Sequence, residues 1–194
     1  AIAMYQAKAA GRNTLRFFDP GLQAAVSARA GLEADLRLAL AQDELSLHYQ
    51  PQVDAQGRMI GVEALVRWQH PQRGAMAPSD FIPLAGDTGM ILQLGRWVLR
   101  EACFQLARWA QRPETAALTM AVNVSSRQFR HPDFVAQVGS VLARTRANAR
   151  LLKLELTESL LVEDIDMTAG KMAALREHGL GFALDDFGTG YSSL

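Results

Sequence analysis

Three features are scarce in this 194-residue chain, and each scarcity excludes a class of protein. The single cysteine, Cys103, excludes an internal disulfide framework and a zinc site built from several thiolates, and it suits a reducing compartment such as the cytoplasm. The chain also has no net excess of charge of either sign, because 20 Lys and Arg balance 20 Asp and Glu. This balance disfavours binding to a nucleic acid polymer through bulk charge. No apolar run approaches the roughly 18 residues of a membrane span, and the first residues lack the order of a signal peptide. We therefore expect a cytoplasmic segment without membrane contact of its own, although an upstream domain of a longer parent could tether it.

The remaining composition is that of a folded domain. At 49% hydrophobic and 21% charged residues, the chain is too apolar for a disordered protein and has enough apolar residues to bury a core. Residues 1–20 have the pattern of a short helix, a turn and one strand, which is too little to bury a core alone. We therefore place a domain boundary near residue 20 and expect a helical connector over 21–40 and a second domain over 41–194.

Strand patterns and helical patterns alternate beyond residue 40. The strand patterns lie at 45–53, 61–69, 118–125, 151–157 and 181–185, and the helical patterns lie at 79–85, 91–111, 132–146 and 165–178. Ser125 and Gln128 have the spacing of a capping box, and His178 with Gly179 resembles a helix end with a glycine cap. This alternation predicts an α/β fold with a mostly parallel sheet covered by helices.

Four of the predicted strands each carry a polar side chain on the same face of the sheet. In the strand at 61–69, Glu63 and Arg67 share a face with Leu65, since successive side chains of a strand point to opposite sides. The same parity applied to the later strands predicts a polar inner face that holds Glu63, Asn123, Glu155 and Asp185, with Asp186 directly after the last strand.

A cluster of carboxylate and amide oxygens is the donor set of a hard divalent cation. Crowded carboxylates repel one another unless a cation neutralises them, and ligands without Cys or His favour Mg²⁺ or Mn²⁺ over zinc. Paired ions of this kind suit attack on a phosphodiester, and Arg67 shares the face of Glu63, where it can meet a phosphate. Taken singly, each of these side chains has an ordinary structural explanation as a cap, a salt-bridge partner or a satisfied polar group. Their coincidence on one face is what favours a site.

Other residues with chemical potential favour structural explanations. The histidines have none of the spacings of zinc hydrolases, and we interpret them as structural or exposed: His48, His70, His131 and His178. Cys103 lies among apolar residues of a predicted helix and is expected in the core, and Lys153 is as compatible with a structural role as with a functional one.

Several runs of the chain together resemble the EAL domain, the family of cyclic diguanylate phosphodiesterases. These runs are YQP at 49–51, EALVRW at 63–68, FIPLA at 81–85, NVS at 123–125, ELTES at 155–159 and DDFGTGYSS at 185–193. They follow the order and approximate spacing of that family over about residues 30 to 194. The leading runs AMYQAK at 3–8 and GRN at 11–13 are similar to the end of a GGDEF domain, whose signature turn is absent.

The resemblance implies a TIM-like (β/α)8 barrel with an antiparallel first strand, of which this chain holds about the first five strands. It further implies hydrolysis of cyclic di-GMP to linear pGpG with Mg²⁺ or Mn²⁺, as two ions. The implied roles are metal binding by Glu63, Asn123, Glu155, Asp185 and Asp186, steadying of the adjacent loop by Glu158, and substrate contact by Gln50, Leu65 and Arg67.

The resemblance also has departures, and it leaves alternatives open. Gly86 stands where many members have an acidic residue, and the chain stops before the strands that carry a catalytic lysine and glutamate, so we expect it to be part of a longer polypeptide. One alternative is an inactive EAL domain that acts as a cyclic di-GMP receptor, and another is a structural or dimerisation module. Relatives often dimerise, so a homodimer is expected.

Overall fold

A long helix leads into a sheet whose strands are separated by helices. The computed structural model describes residues 20–157, 160 and 164–185. Its strands are β1 (Leu45–Val53), β2 (Met59–His70), β3 (Gly74–Met76), β4 (Thr119–Asn123), β5 (Leu152–Thr157) and β6 (Gly181–Asp185). Its helices are α1 (Pro20–Ala39), α2 (Pro78–Thr88), α3 (Ile91–Trp109), α4 (Ser126–Arg130), α5 (Phe134–Thr145) and α6 (Ile165–Glu177), with a 3-10 turn at Ala149–Leu151.

The strands form one sheet in which only the first connection and a short side strand reverse direction. The order is β1-β2-β4-β5-β6, with β1 antiparallel to β2 and the pairs β2–β4, β4–β5 and β5–β6 parallel. The short strand β3 pairs antiparallel with the end of β2. This confirms the predicted α/β fold, a partial barrel with an antiparallel first strand.

One face of the sheet forms the core beneath the helices. Val62, Ala64 and Val66 of β2 are buried, as are Leu152, Leu154 and Leu156 of β5, so each strand contributes alternate residues to the same apolar layer. The helices cover this layer with apolar residues of their own, and the buried Cys103 of α3 lies in it as predicted. Within the described part of the chain, no helix is long and apolar enough to cross a membrane.

Helix α1 packs against the core and contacts α2 and the end of β2. Leu36 is fully buried in the common core, and Arg29 forms an ion pair with Asp87 of α2. The Asp35 carboxylate lies 3.1 Å from Nε2 of His70, at the end of β2. Because His70 Nδ1 accepts from two backbone N–H groups, the ring proton lies on Nε2 and is donated to Asp35. The helical pattern over 21–40 is thus confirmed, while the domain boundary near residue 20 stays a prediction.

Local signals identified two helix caps, and the sequence patterns missed three small elements: α4, β3 and the 3-10 turn. The Ser125 side chain accepts from the Gln128 backbone N–H at 3.2 Å, which is the N-cap half of the predicted capping box, and Gly179 after α6 has φ +96°, as predicted for a glycine cap. The capped helix is the five-residue α4, which the predicted helix at 132–146 did not include. The three-residue β3 was also missed, because so short a strand leaves no alternating pattern.

Candidate active site

The polar face predicted from strand parity exists on the side of the sheet opposite the helices. Glu63, Leu65 and Arg67 are half-buried, whereas their neighbours Val62 and Val66 are buried in the core. Asn123, Lys153, Glu155 and Thr157 are half-buried on β4 and β5 in the same alternation.

Glu63 and Asn123 meet across the β2–β4 pair. The Asn123 Nδ2 donates to Glu63 Oε1 at 2.8 Å, although the two residues are 60 positions apart in the chain. A hydrogen bond to a carboxylate at this distance is charge-assisted and fixes both side chains. It leaves Asn123 Oδ1 and the second Glu63 oxygen, two hard donors on one face, to meet a cation.

The next strands continue this row of oxygen donors. Asn123 is the register partner of Glu155 on β5, and Thr157 is the register partner of Asp185 on β6. Between the polar positions the same face carries small residues, Ala121 opposite Glu63 and Ala183 opposite Glu155. The half-buried Ala183 leaves room for a ligand above the sheet, whereas Ala121 is only 1% exposed and is covered by its neighbours.

Side-chain contacts hold the segment that follows Asn123 at the end of β4. After the strand, the chain turns into α4, where Ser126 Oγ lies 3.4 Å from Thr157 Oγ1 of β5. The Lys171 Nζ of α6 donates to the backbone oxygens of Phe129 at 2.8 Å and His131 at 2.7 Å. Partial burial lowers the pKa of Lys171. Sequence reasoning missed this lysine, since nothing local marks a contact over about 40 residues.

The three expected substrate-contacting residues lie at one end of the same face. Gln50 of β1 is exposed and directly opposite Glu63 in the antiparallel register. Leu65 of β2 is half-buried and follows Glu63 on this face. The Arg67 guanidinium donates to the Val66 backbone oxygen at 2.8 Å, which leaves further N–H donors for an anion.

The acidic set is only partly within the described residues. Glu158, Asp186 and the side chain of Asp185 lie outside them, so their predicted roles stay predictions. In the part of the chain that the structure describes, no group of three or more His, Cys, Asp or Glu side chains is close enough to hold a metal. The described members of the set, Glu63, Asn123 and Glu155, carry oxygen donors on adjacent strands, and this chemistry fits Mg²⁺ or Mn²⁺.

Comparisons with known proteins place this arrangement in a family. The EAL domain model matches residues 33–194. The chain is 47% identical over 193 residues to the bifunctional diguanylate cyclase/cyclic di-GMP phosphodiesterase MucR of Pseudomonas aeruginosa, covering 99% of this chain and 28% of that protein. It is 40% identical over 192 residues to the cyclic di-GMP phosphodiesterase PdeR of Escherichia coli, covering 99% of this chain and 29% of that protein. The chain thus spans less than a third of the length of these curated relatives.

A solved structure agrees in fold as well as in sequence. The PaMucR phosphodiesterase in complex with c-di-GMP superposes with a TM-score of 0.79 at 48% identity, covering 84% of this chain and 66% of that one. The match of the family model over most of the chain, the reversed first strand and the polar face of the sheet lead to one conclusion: the chain belongs to the EAL domain family.

Proposed function

We propose that this chain binds cyclic di-GMP on the polar face of the sheet and, within its parent protein, hydrolyses it to linear pGpG with divalent metal ions. The observation that carries the proposal is the 2.8 Å contact between Glu63 and Asn123, two oxygen-donor residues that separate strands bring together in a member of the EAL family. The names of MucR and PdeR as cyclic di-GMP phosphodiesterases support it.

Each described residue has a physical task in this proposal. Asn123 holds Glu63 by a hydrogen bond and offers its own amide oxygen, and Glu155 adds a carboxylate from the next strand. The remaining N–H donors of Arg67 bind a phosphate of the dinucleotide, because a guanidinium matches phosphate geometry. Gln50 and Leu65 contact the nucleotide beside that phosphate.

The metal ions complete the site. Glu63, Asn123 and Glu155, with Asp185 and Asp186, would hold Mg²⁺ or Mn²⁺, as two ions. Bound there, the ions supply activation of water as a nucleophile and neutralise charge on the phosphoryl group. Glu158 steadies the loop that begins at Asp186.

Metal binding and turnover measured side by side test this assignment. In the full-length protein, we expect Glu63→Gln and Asn123→Ala each to weaken Mn²⁺ binding in calorimetry and to reduce hydrolysis of cyclic di-GMP by roughly 100-fold or more. Gln52→Ala, on the same face of β1 but opposite Gly61, is the matched control and should keep both properties. Undiminished turnover in Glu63→Gln would contradict the assignment. Retained dinucleotide binding without any turnover in the wild type would instead indicate a receptor.

We also propose a domain organisation, an oligomeric state and a location for the parent protein. The match to MucR covers nearly the whole chain, including its leading segment, which supports our proposal of a GGDEF remnant over 1–20, a connector over 21–40 and an EAL domain over 41–194. The EAL family model itself begins at residue 33, within that connector. We further propose that the parent protein is a homodimer and that this domain works in the cytoplasm.

A further inference from the structure

The imidazole of His48 is exposed on the polar face beside the expected substrate contacts. His48 and Gln50 have the same parity on β1, and the antiparallel register places His48 directly opposite Leu65. The alternate residue Tyr49 points to the helices instead, where its ring contacts Trp109 at a centroid distance of 5.1 Å. His48 therefore faces the same side of the sheet as Gln50 and Leu65.

Along β1, His48 lies opposite the stretch of β2 that runs from Glu63 to Arg67. Register pairs run from Gln50 opposite Glu63, through His48 opposite Leu65, to Ser46 opposite Arg67. Directly opposite side chains in an antiparallel pair are about 4.5–5.5 Å apart at Cβ. A ligand that spans from Glu63 to Arg67 thus passes over the His48 ring.

The fold gives this ring no other task. Within the described residues, the His48 imidazole makes no hydrogen bond, ion pair or ring contact, and it is exposed. His70, by contrast, is 3% exposed and uses both ring nitrogens for contacts within the protein. Among the described residues, His70 thus has partners at both ring nitrogens, whereas His48 has none and is exposed to a ligand.

From this placement we propose that His48 contacts a guanine base of the bound dinucleotide and is a specificity-determining residue of the site. A neutral imidazole has one N–H donor, and the guanine edge presents two adjacent acceptors, O6 and N7. Adenine keeps N7 but presents an amino donor in place of O6, so a ring N–H that donates to O6 disfavours an adenine dinucleotide. The inference rests on the proposed function, because it assumes that cyclic di-GMP is the ligand.

Binding measurements on the full-length protein test the contact. Calorimetry in EDTA keeps the ligand intact while cyclic di-GMP and cyclic di-AMP are titrated. We expect His48→Ala and His48→Leu to weaken cyclic di-GMP binding roughly 3- to 10-fold, the loss of one hydrogen bond. Binding of cyclic di-AMP should change less. His48→Gln keeps an N–H donor and should recover most of the affinity.

The possible results distinguish a failure of the His48 contact from a failure of the proposed cyclic di-GMP binding. His178, an exposed histidine at the end of α6, provides the control, and His178→Ala should bind like the wild type. If the wild type binds cyclic di-GMP and His48→Ala binds it equally well, the His48 contact is wrong but the proposed function stands. If His48→Gln binds cyclic di-GMP as weakly as His48→Leu does, the ring does not act through a hydrogen bond. A wild type that binds no cyclic di-GMP overturns the proposed function as well.

Discussion

A methyl group added at Gly61 should destabilise the sheet at the strand that carries Glu63. Gly61 lies beside Thr119 in the parallel β2–β4 pair, and a Cβ there would come within 2.3 Å of Thr119 Oγ1 and 2.8 Å of the Thr119 backbone oxygen. The hydroxyl can rotate away, since it is held only by a 3.3 Å bond to the Ile60 backbone oxygen. The backbone oxygen can move only if the two strands separate.

The size of this effect follows from the overlap. Relief of a 2.8 Å contact with backbone requires a shift of several tenths of an ångström, and overpacking of this kind costs about 1–3 kcal/mol. Alanine regains about 0.5–1 kcal/mol relative to glycine, because it loses less backbone entropy on folding. We therefore expect Gly61→Ala to lower the free energy of unfolding by about 1–2 kcal/mol net.

A second glycine provides the matched control. A Cβ at Gly86, in helix α2, meets nothing within 4 Å, so Gly86→Ala should raise the free energy of unfolding by about 0.5–1 kcal/mol. Urea denaturation of both variants measures these changes, and Mn²⁺ binding reports whether the shift at Gly61 reaches Glu63 two residues away. A Gly61→Ala variant as stable as the wild type would refute the packing argument.

Three further predictions concern groups outside the polar face. Lys171→Met keeps the aliphatic stem but loses two hydrogen bonds to backbone oxygens, and urea denaturation should show a loss of about 1–3 kcal/mol. His70→Ala removes a buried ring that contacts Trp68 and bonds Asp35, so the free energy of unfolding should fall by about 2–4 kcal/mol, and an unchanged value would contradict the burial. Burial raises the pKa of the Cys103 thiol to about 12, which keeps it protonated throughout the neutral range. A thiol reagent at pH 8 should therefore leave Cys103 unmodified in the native protein and react fully after denaturation.

The faces of the strands were predictable from the sequence because strand geometry has a fixed period of two residues. Glu63, Asn123 and Glu155 lie on the polar side as parity requires, and their apolar neighbours lie in the core. The parallel order was predictable from the alternation of strands and helices, and the resemblance implied the reversed first strand.

Register and long-range contacts were not predictable in this way. That Asn123 bonds Glu63, rather than merely sharing its face, depends on how β2 and β4 are offset, which no local pattern encodes. The contact of Lys171 with α4 joins segments far apart in the chain, which no local pattern predicts. The position of His48 opposite Leu65 likewise depends on the register of β1 against β2. The roles of Asp186 and Glu158 stay predictions from the resemblance.

Hydrolysis of cyclic di-GMP by the full-length protein is the decisive test of a metal-dependent phosphodiesterase. The linear product is followed by chromatography with Mg²⁺ present, after EDTA, and after Mg²⁺ is restored. We expect pGpG in the first and third samples and none in the second, because the proposed site around Glu63 acts through a divalent cation. Turnover that persists in EDTA would contradict the metal site, and intact cyclic di-GMP in all three samples would contradict the phosphodiesterase.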